Sequence, residues 1–318
     1  MGQDAMGSDD DLLRRTADLA LEFLAGLPQR PVRATATIEE LRAALGGPLP
    51  ERGEAAREVV ETLARAADPG LIGMAGPRYF GFVIGGHLPA ALAADWLTST
   101  WDQNATLYVS APANSVAEEA AAGWLQKILG LPSKATVGFT TGCMMANFTA
   151  LAAARHAVLA RLGWDVETRG LYGAPEIGVV IGAEAHVTIH AALQMLGLGR
   201  ERVKTVPADA QGRMEASALR DVLATCEGPL IVCAQAGNVN TGAFDPLDEI
   251  ATAVRSHNGW LHVDGAFGLW ANASLSLAHL AKGAEKADSW ATDGHKWLNV
   301  PYDCGIVIVD DPSPTAPP

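Results

Sequence analysis

Positive charge is scarce in this chain. Lysine and arginine number 23 against 36 aspartates and glutamates, a formal net charge of −13, and no stretch gathers the basic residues into a stripe. Phosphate backbones need local positive charge, so nucleic acid is not an expected partner. Cysteine is equally sparse: Cys143, Cys226, Cys233 and Cys304 form no CxxC pair. The start, MGQDAMGSDD, is acidic rather than a basic-then-apolar leader, and no run of about 18 apolar residues suggests a membrane span. Together these absences lead to the expectation of a soluble chain in a reducing, cytoplasmic setting, without membrane contact. Low-complexity tracts and repeats are also missing, since the 33 glycines and 18 prolines are spread along the sequence.

What is present is apolar. Of 318 residues 49% are hydrophobic and 19% charged, ample for a sizeable core, and the length favours one large domain with appendages. Residues 1–75 read as a helical N-terminal segment. DLLRRTADLALEFLAGLP carries apolar residues at helical spacing, and TIEELRAALGG opens on a candidate N-cap, Thr37, with Glu40 three residues on. Short amphipathic helices of this kind bury too little alone, so an arm or lid is expected rather than a domain.

Residues 76–310 read as one large α/β domain. Short apolar runs, ATVGFT, IGVVIG, RVKTVP, LIVCAQA, WLHVD, DSWATD and GIVIV, alternate with helical segments near 143–163, 187–197, 215–226 and 246–257. Further helices are expected near 88–104 and 113–130. Continuous apolar strands between helices indicate a mostly parallel sheet covered on both faces. The later strands crowd together, which suggests a mixed sheet. Residues 311–318, rich in proline, read as a disordered tail.

Ligands of such sheets sit at the carboxyl ends of the strands. Five polar or Gly-rich segments follow strands here: TTGCMMAN, EAHVTIH, GNVNTGAFDP, GAFGLW and GHKW. In the first, Thr141, Gly142 and Cys143 lie between a strand and a long helix, so free N–H groups and the helix dipole offer an anion site, although an ordinary tight turn has the same sequence signature. Asp264 ends the strand WLHVD. A lone buried carboxylate more often closes a salt bridge or a cap, and it needs a donor or cationic partner. His262, two residues earlier, shares its strand face. Lys127, Lys134, Lys204, Lys282 and Lys286 all sit in surface-like contexts, whereas Lys296 follows a short apolar run between a histidine and a tryptophan. An amine in a partly desolvated pocket becomes a nucleophile toward carbonyls. An anion cradle, a strand-end carboxylate and a strand-end amine match the phosphate, ring nitrogen and aldehyde of pyridoxal 5'-phosphate. His186 ends another strand, where it caps a helix or stacks on a flat ring, and His190 lies one helical turn on.

The segments GPRYFGFVIGG, TTGCMMANFTAL, AHVTIHAALQMLG, HVDGAFGLWA and DSWATDGHKWLNVPYDCG, in this order over roughly residues 76–309, resemble the pyridoxal-phosphate-dependent group II amino-acid decarboxylases. That family includes the aromatic-L-amino-acid and glutamate decarboxylases. The resemblance implies the aspartate-aminotransferase-like fold, PLP fold type I, with about seven strands. It makes Lys296 the Schiff-base lysine, Asp264 the partner of the pyridine nitrogen, Ala266 the residue under the ring and His186 the stacking histidine. Thr141, Gly142, Cys143, Ser289 and His295 fall at phosphate-side positions, and Thr241 lies in the loop near the cofactor's O3′. Tyr79, Phe80 and His87 are the implied substrate-pocket residues at a homodimer interface.

Two departures stand out. Asp293 occupies a place where many relatives carry asparagine, which makes the phosphate side less positive, and Cys143-Met144-Met145 replaces small or acidic residues. The family pattern also continues past the lysine with a mobile tyrosine-bearing loop and a small C-terminal domain. The expectation is therefore a large domain lacking those parts, with the dimer weakened. The implied reaction is PLP-dependent decarboxylation of an L-amino acid, with no metal. An aminotransferase or aldehyde synthase of the same fold, a non-catalytic remnant, and a metal hydrolase using His186, His190, His262 and Asp264 stay open beside it.

Overall fold

The structure, a computed structural model, describes residues 3–310, with side chains from residue 9 onward. The proline-rich segment 311–318, expected to be disordered, lies outside the described residues. Contacts divide the chain into two units, Met1–Gly86 and His87–Pro318.

The first unit contains helices α1 (Gln3–Gly26), α2 (Ile38–Leu45) and α3 (Ala56–Ala67). Thr37 closes a capping box on α2: Glu40 N–H donates to its hydroxyl at 3.2 Å, and its own N–H donates to the Glu40 carboxylate at 2.7 Å. Arg15 on α1 reaches Glu61 on α3 at 3.1 Å. Neither α2 nor α3 contains a buried residue, and among the described residues of this unit Leu27 is the one buried apolar side chain.

The second unit is built on a sheet of seven strands. In chain order it contains α4 (Pro89–Trp101), α5 (Pro112–Leu129), β1 (Thr136–Thr140), α6 (Cys143–Ala160), α7 (Val166–Arg169), β2 (Gly178–Gly182), α8 (Val187–Met195) and β3 (Val203–Val206). It continues with α9 (Ala216–Leu223), β4 (Leu230–Gln235), α10 (Leu247–Ser256), β5 (Trp260–Asp264), β6 (Ser289–Asp293), α11 (Gly294–Trp297) and β7 (Gly305–Val309). The sheet order is β1-β7-β6-β5-β4-β2-β3, parallel except that β7 runs antiparallel between β1 and β6. Each apolar run expected as a strand is one, and the crowding of the last strands reflects the reversed β7.

Strand side chains alternate between two cores. Val180, Val232, Leu261, Val263 and Trp290 pack with α9 and α10 residues such as Leu219 and Ile250. Val179, Ile181, Ile231, Cys233 and Trp260 pack on the other face with Leu151 of α6 and Ile189 of α8. Burying each of the larger aliphatic side chains stabilises the fold by roughly 1.5–3 kcal/mol, so both faces are firmly covered.

The period of two puts His262 and Asp264 on the Trp260 face, and Ala291 meets Cys143, Ala146 and Ala150 of α6. Small residues let α6 approach that face closely. By length and composition α6 is apolar enough to cross a membrane, contrary to the expectation that no such run exists. Its apolar character is explained by burial instead: Ala146, Leu151, Ala154 and Leu159 are fully enclosed.

Candidate active site

Asp264 stands at the carboxyl end of β5, 4% exposed. Its Oδ1 accepts from the Ala266 N–H at 3.2 Å and lies 3.7 Å from the Cys143 Sγ, while Oδ2 accepts from Asn147 Nδ2 at 3.4 Å. A buried carboxylate needs such donors. Burial, followed by the nearby carboxylates of Asp264 and Asp293, pushes the Cys143 thiol well up, so it stays protonated and able to donate.

Lys296 arrives from the neighbouring strand. β6 ends at Asp293 and turns at once into the short helix α11, whose single turn puts residues three apart on one side. Lys296 Nζ therefore lies 3.5 Å from Asp293 Oδ2, with 20% of the lysine side chain exposed, and 5.8 Å from the Phe267 ring centroid. Asp293 Oδ1 accepts the Cys143 N–H at the start of α6 at 2.7 Å. Burial raises the Asp293 carboxyl above its usual range, even with His295 and Lys296 beside it. His295 Nε2 is 3.6 Å from the same carboxylate, its Nδ1 accepts from the Cys304 N–H at 3.2 Å, and Tyr302 stacks on its ring at 4.1 Å. A neutral His295 thus keeps its proton on Nε2, facing Asp293.

Glycine shapes the turn before α6. Gly142 has φ +130°, a conformation that L side chains rarely adopt. A Cβ on Gly305 of β7 would lie 2.3 Å from the Gly142 carbonyl carbon, so the two backbones meet only because Gly305 lacks one. Thr141 is exposed in the same turn.

His186 follows β2 and caps α8. Its Nδ1 accepts from the Thr188 N–H at 3.4 Å and is 2.9 Å from the Thr188 hydroxyl. The ring is exposed, and it shares a small recess with Asp264, Gly182 and Ile189.

Ser289 falls elsewhere. Ser289 is the first residue of β6, at the strand's opposite end from Asp293, and fully buried. Its hydroxyl accepts from Trp260 Nε1 at 2.9 Å and bonds His262 Nδ1 at 2.9 Å. Four residues of extended strand, roughly 13 Å, separate it from the strand end, so its placement on the phosphate side is corrected. Thr241 sits in the loop after β4 and spends its hydroxyl proton on the Gln211 carbonyl at 2.7 Å. Tyr79 and Phe80 belong to the first unit, Phe80 92% exposed. His87 opens the second unit, half-buried.

The metal alternative fails on His262. Both of its nitrogens are committed, Nδ1 to Ser289 and Nε2 to Asn147 Oδ1 at 2.9 Å, and burial lowers its pKa to about 3. Sequence reasoning missed Asn147, whose signal is a polar residue four positions after Cys143, on the same face of an apolar helix.

The donor set suits pyridoxal 5'-phosphate. At one end are His295 Nε2 and the Lys296 amine, beside the start of α6, where Met145 and Ala146 give their N–H groups to the Gly142 carbonyl; at the other is a carboxylate, Asp264, held by donors alone. Asp293 is the one group that opposes an anion, because its carboxylate takes the Cys143 N–H.

Fold and site define a class: α/β proteins that gather an amine, a carboxylate and an anion-binding helix start at one sheet edge, as pyridoxal-phosphate enzymes of the aspartate-aminotransferase type do. The sequence model described as the pyridoxal-dependent decarboxylase conserved domain matches residues 39–315. The chain belongs to the pyridoxal-dependent decarboxylase family. The aromatic-L-amino-acid decarboxylase of Bacillus atrophaeus is 30% identical over 299 residues, 93% of this chain and 60% of that protein. The cysteine sulfinic acid decarboxylase of Homo sapiens is 32% identical over 279 residues, 86% of this chain and 55% of that protein. The crystal structure of mouse CSAD superposes with a TM-score of 0.88 at 30% identity, covering 96% of this chain and 65% of that one. The chain thus spans less than two thirds of the length of these relatives.

Proposed function

We propose that this chain carries the cofactor-binding half of a PLP-dependent L-amino-acid decarboxylase. The observation that carries the reading is the Lys296 amine, one-fifth exposed, between the Asp293 carboxylate and the Phe267 ring, on the sheet edge that also holds buried Asp264. Lys296 would hold the aldehyde of pyridoxal 5'-phosphate, Asp264 the ring nitrogen, and the start of α6 with Gly142, Cys143 and His295 the phosphate. Ala266 lies beneath the ring in this reading and His186 covers its open face. When bound, the cofactor supplies the electron sink that makes loss of CO₂ from Cα feasible.

The chain's own groups do the rest. Asp264 would hold a proton on the ring nitrogen, and the Lys296 amine would accept and return protons beside Cα. The relatives act, by name, on aromatic-L-amino acids and on cysteine sulfinic acid; an aromatic or aliphatic L-amino acid is the substrate class proposed here. A cytoplasmic homodimer completes the proposal. The exposed Trp101, Leu107, Tyr108, Val109 and Trp124 around α4 and α5 support it, as apolar surface of this kind is covered by a partner.

Titrating the purified chain with pyridoxal 5'-phosphate tests the reading. Binding gives a visible absorbance band that Lys296→Ala abolishes, and CO₂ release from a panel of aromatic, aliphatic and acidic amino acids identifies the substrate. A band that survives Lys296→Ala overturns the assignment.

A further inference from the structure

Asn147 is fully buried in α6 and is the hub of a polar chain that crosses the core. Its Oδ1 is 2.9 Å from His262 Nε2, and its Nδ2 is 3.4 Å from both Asp264 Oδ2 and Thr188 Oγ1. Elementary donor and acceptor chemistry fixes the direction of each bond. A carboxylate at Asp264 only accepts, so the Asn147 amide nitrogen faces it and the amide oxygen faces His262. His262, buried and neutral, then carries its proton on Nε2, which leaves Nδ1 to accept from the Ser289 hydroxyl. Ser289 Oγ in turn accepts from Trp260 Nε1. On the other branch Asn147 donates to Thr188, whose hydroxyl donates to His186 Nδ1 at 2.9 Å. Every buried polar atom along both branches has its partner, and one orientation satisfies them all.

We infer that Asn147 is a positioning residue that links Asp264 to His186 through one side-chain amide, with His262 and Ser289 locking the orientation of that amide. His262 and Ser289 thereby gain a role behind the site rather than in it. The inference deepens the proposed function and rests on it for the identity of what Asp264 and His186 touch.

The test has a readout that needs no cofactor. In the ¹⁵N-histidine NMR spectrum of the cofactor-free chain, His262 is expected as the Nε2–H tautomer. In Asn147→Leu, which lacks the amide at similar volume, His262 moves to the Nδ1–H tautomer and donates to Ser289. Asn147→Asp keeps the oxygen that His262 bonds, and because two carboxylates this close do not both ionise, the pair holds one proton shared with Asp264, so the His262 signal stays native. Asn147→Leu is expected to bind pyridoxal 5'-phosphate about tenfold or more weakly, the scale of one lost hydrogen bond to a charged group, and Asn147→Asp to shift the pH dependence of the bound cofactor's absorbance, because the shared proton takes part of the Asp264 charge. A merely structural asparagine predicts an unchanged pH dependence of the bound cofactor's absorbance in Asn147→Asp wherever its His262 signal is native. That result, or an Asn147→Leu protein with unchanged tautomer, affinity and pH profile, overturns the inference. A wild-type chain that shows the expected tautomer yet binds no cofactor overturns the proposed function instead.

Discussion

Asp293 is the residue at which this chain departs most from what an anion cradle wants. Its carboxylate takes the N–H of Cys143 at 2.7 Å, a donor that a phosphate at the start of α6 would need, and sits 3.5 Å from Lys296. An asparagine at this position would keep an acceptor for the N–H while removing a like charge from the phosphate side. Asp293→Asn is therefore expected to tighten binding of pyridoxal 5'-phosphate several-fold, as measured by absorbance titration, whereas weaker binding would show that the carboxylate helps hold the cofactor. Lys296, Asp264 and His186 could be singled out in the sequence because each lies at or within four residues of the end of a strand. Ser289 was misplaced because adjacency to a motif says nothing about which end of a strand a residue occupies. Asn147 was invisible because its partners lie 117 and 115 residues away in the chain, on β5.

At the scale of elements, the loop after β4 is held by one buried acid. Asp245 accepts from the Met214 N–H and the Gln235 N–H, each at 2.7 Å, which pins the segment carrying Thr241 to the end of the strand beside Asp264. Burial pushes its pKa up to about 6 from 3.8. A raised folded-state value means that the folded protein binds the proton more tightly than the unfolded chain. The associated stability is fully present below about 3.8 and is lost as pH rises through about 6. The loss comes to roughly 3 kcal/mol at most. Urea denaturation at pH 4 and pH 7 checks this: the wild type should lose stability relative to Asp245→Asn over that interval, and a constant difference between the two would refute it. The strands and most helices were readable from apolar runs and caps. The antiparallel insertion of β7 between β1 and β6 was not, since strand pairing joins segments far apart in the chain and leaves no local pattern.

On the scale of the whole molecule, the exposed apolar side chains of the second unit ask for a partner. Trp101 is 60% exposed, Val109 86% and Trp124 68%, far more apolar surface than scattered single residues explain. Light scattering of the purified chain is expected to show a dimer, and Val109→Asp to shift it toward monomer with its helical signal retained. A wild-type chain that stays monomeric and stable at high concentration would count against the homodimer.

The sequence by itself determined the class of this protein. Strand and helix periodicities are local, and the segments that follow the strands carry Lys296, Asp264 and the Gly142 turn in the order the family pattern has, so fold and family are legible in nearby letters and the roles of those residues are what the resemblance implies. Only the tertiary structure decided how those groups are held. It put Asp293 on the Cys143 N–H, moved Ser289 to the far end of β6, and made Asn147 the bridge between Asp264 and His186. These arrangements depend on α6 crossing one sheet face at close range, which the small residues of that helix permit and no local pattern encodes.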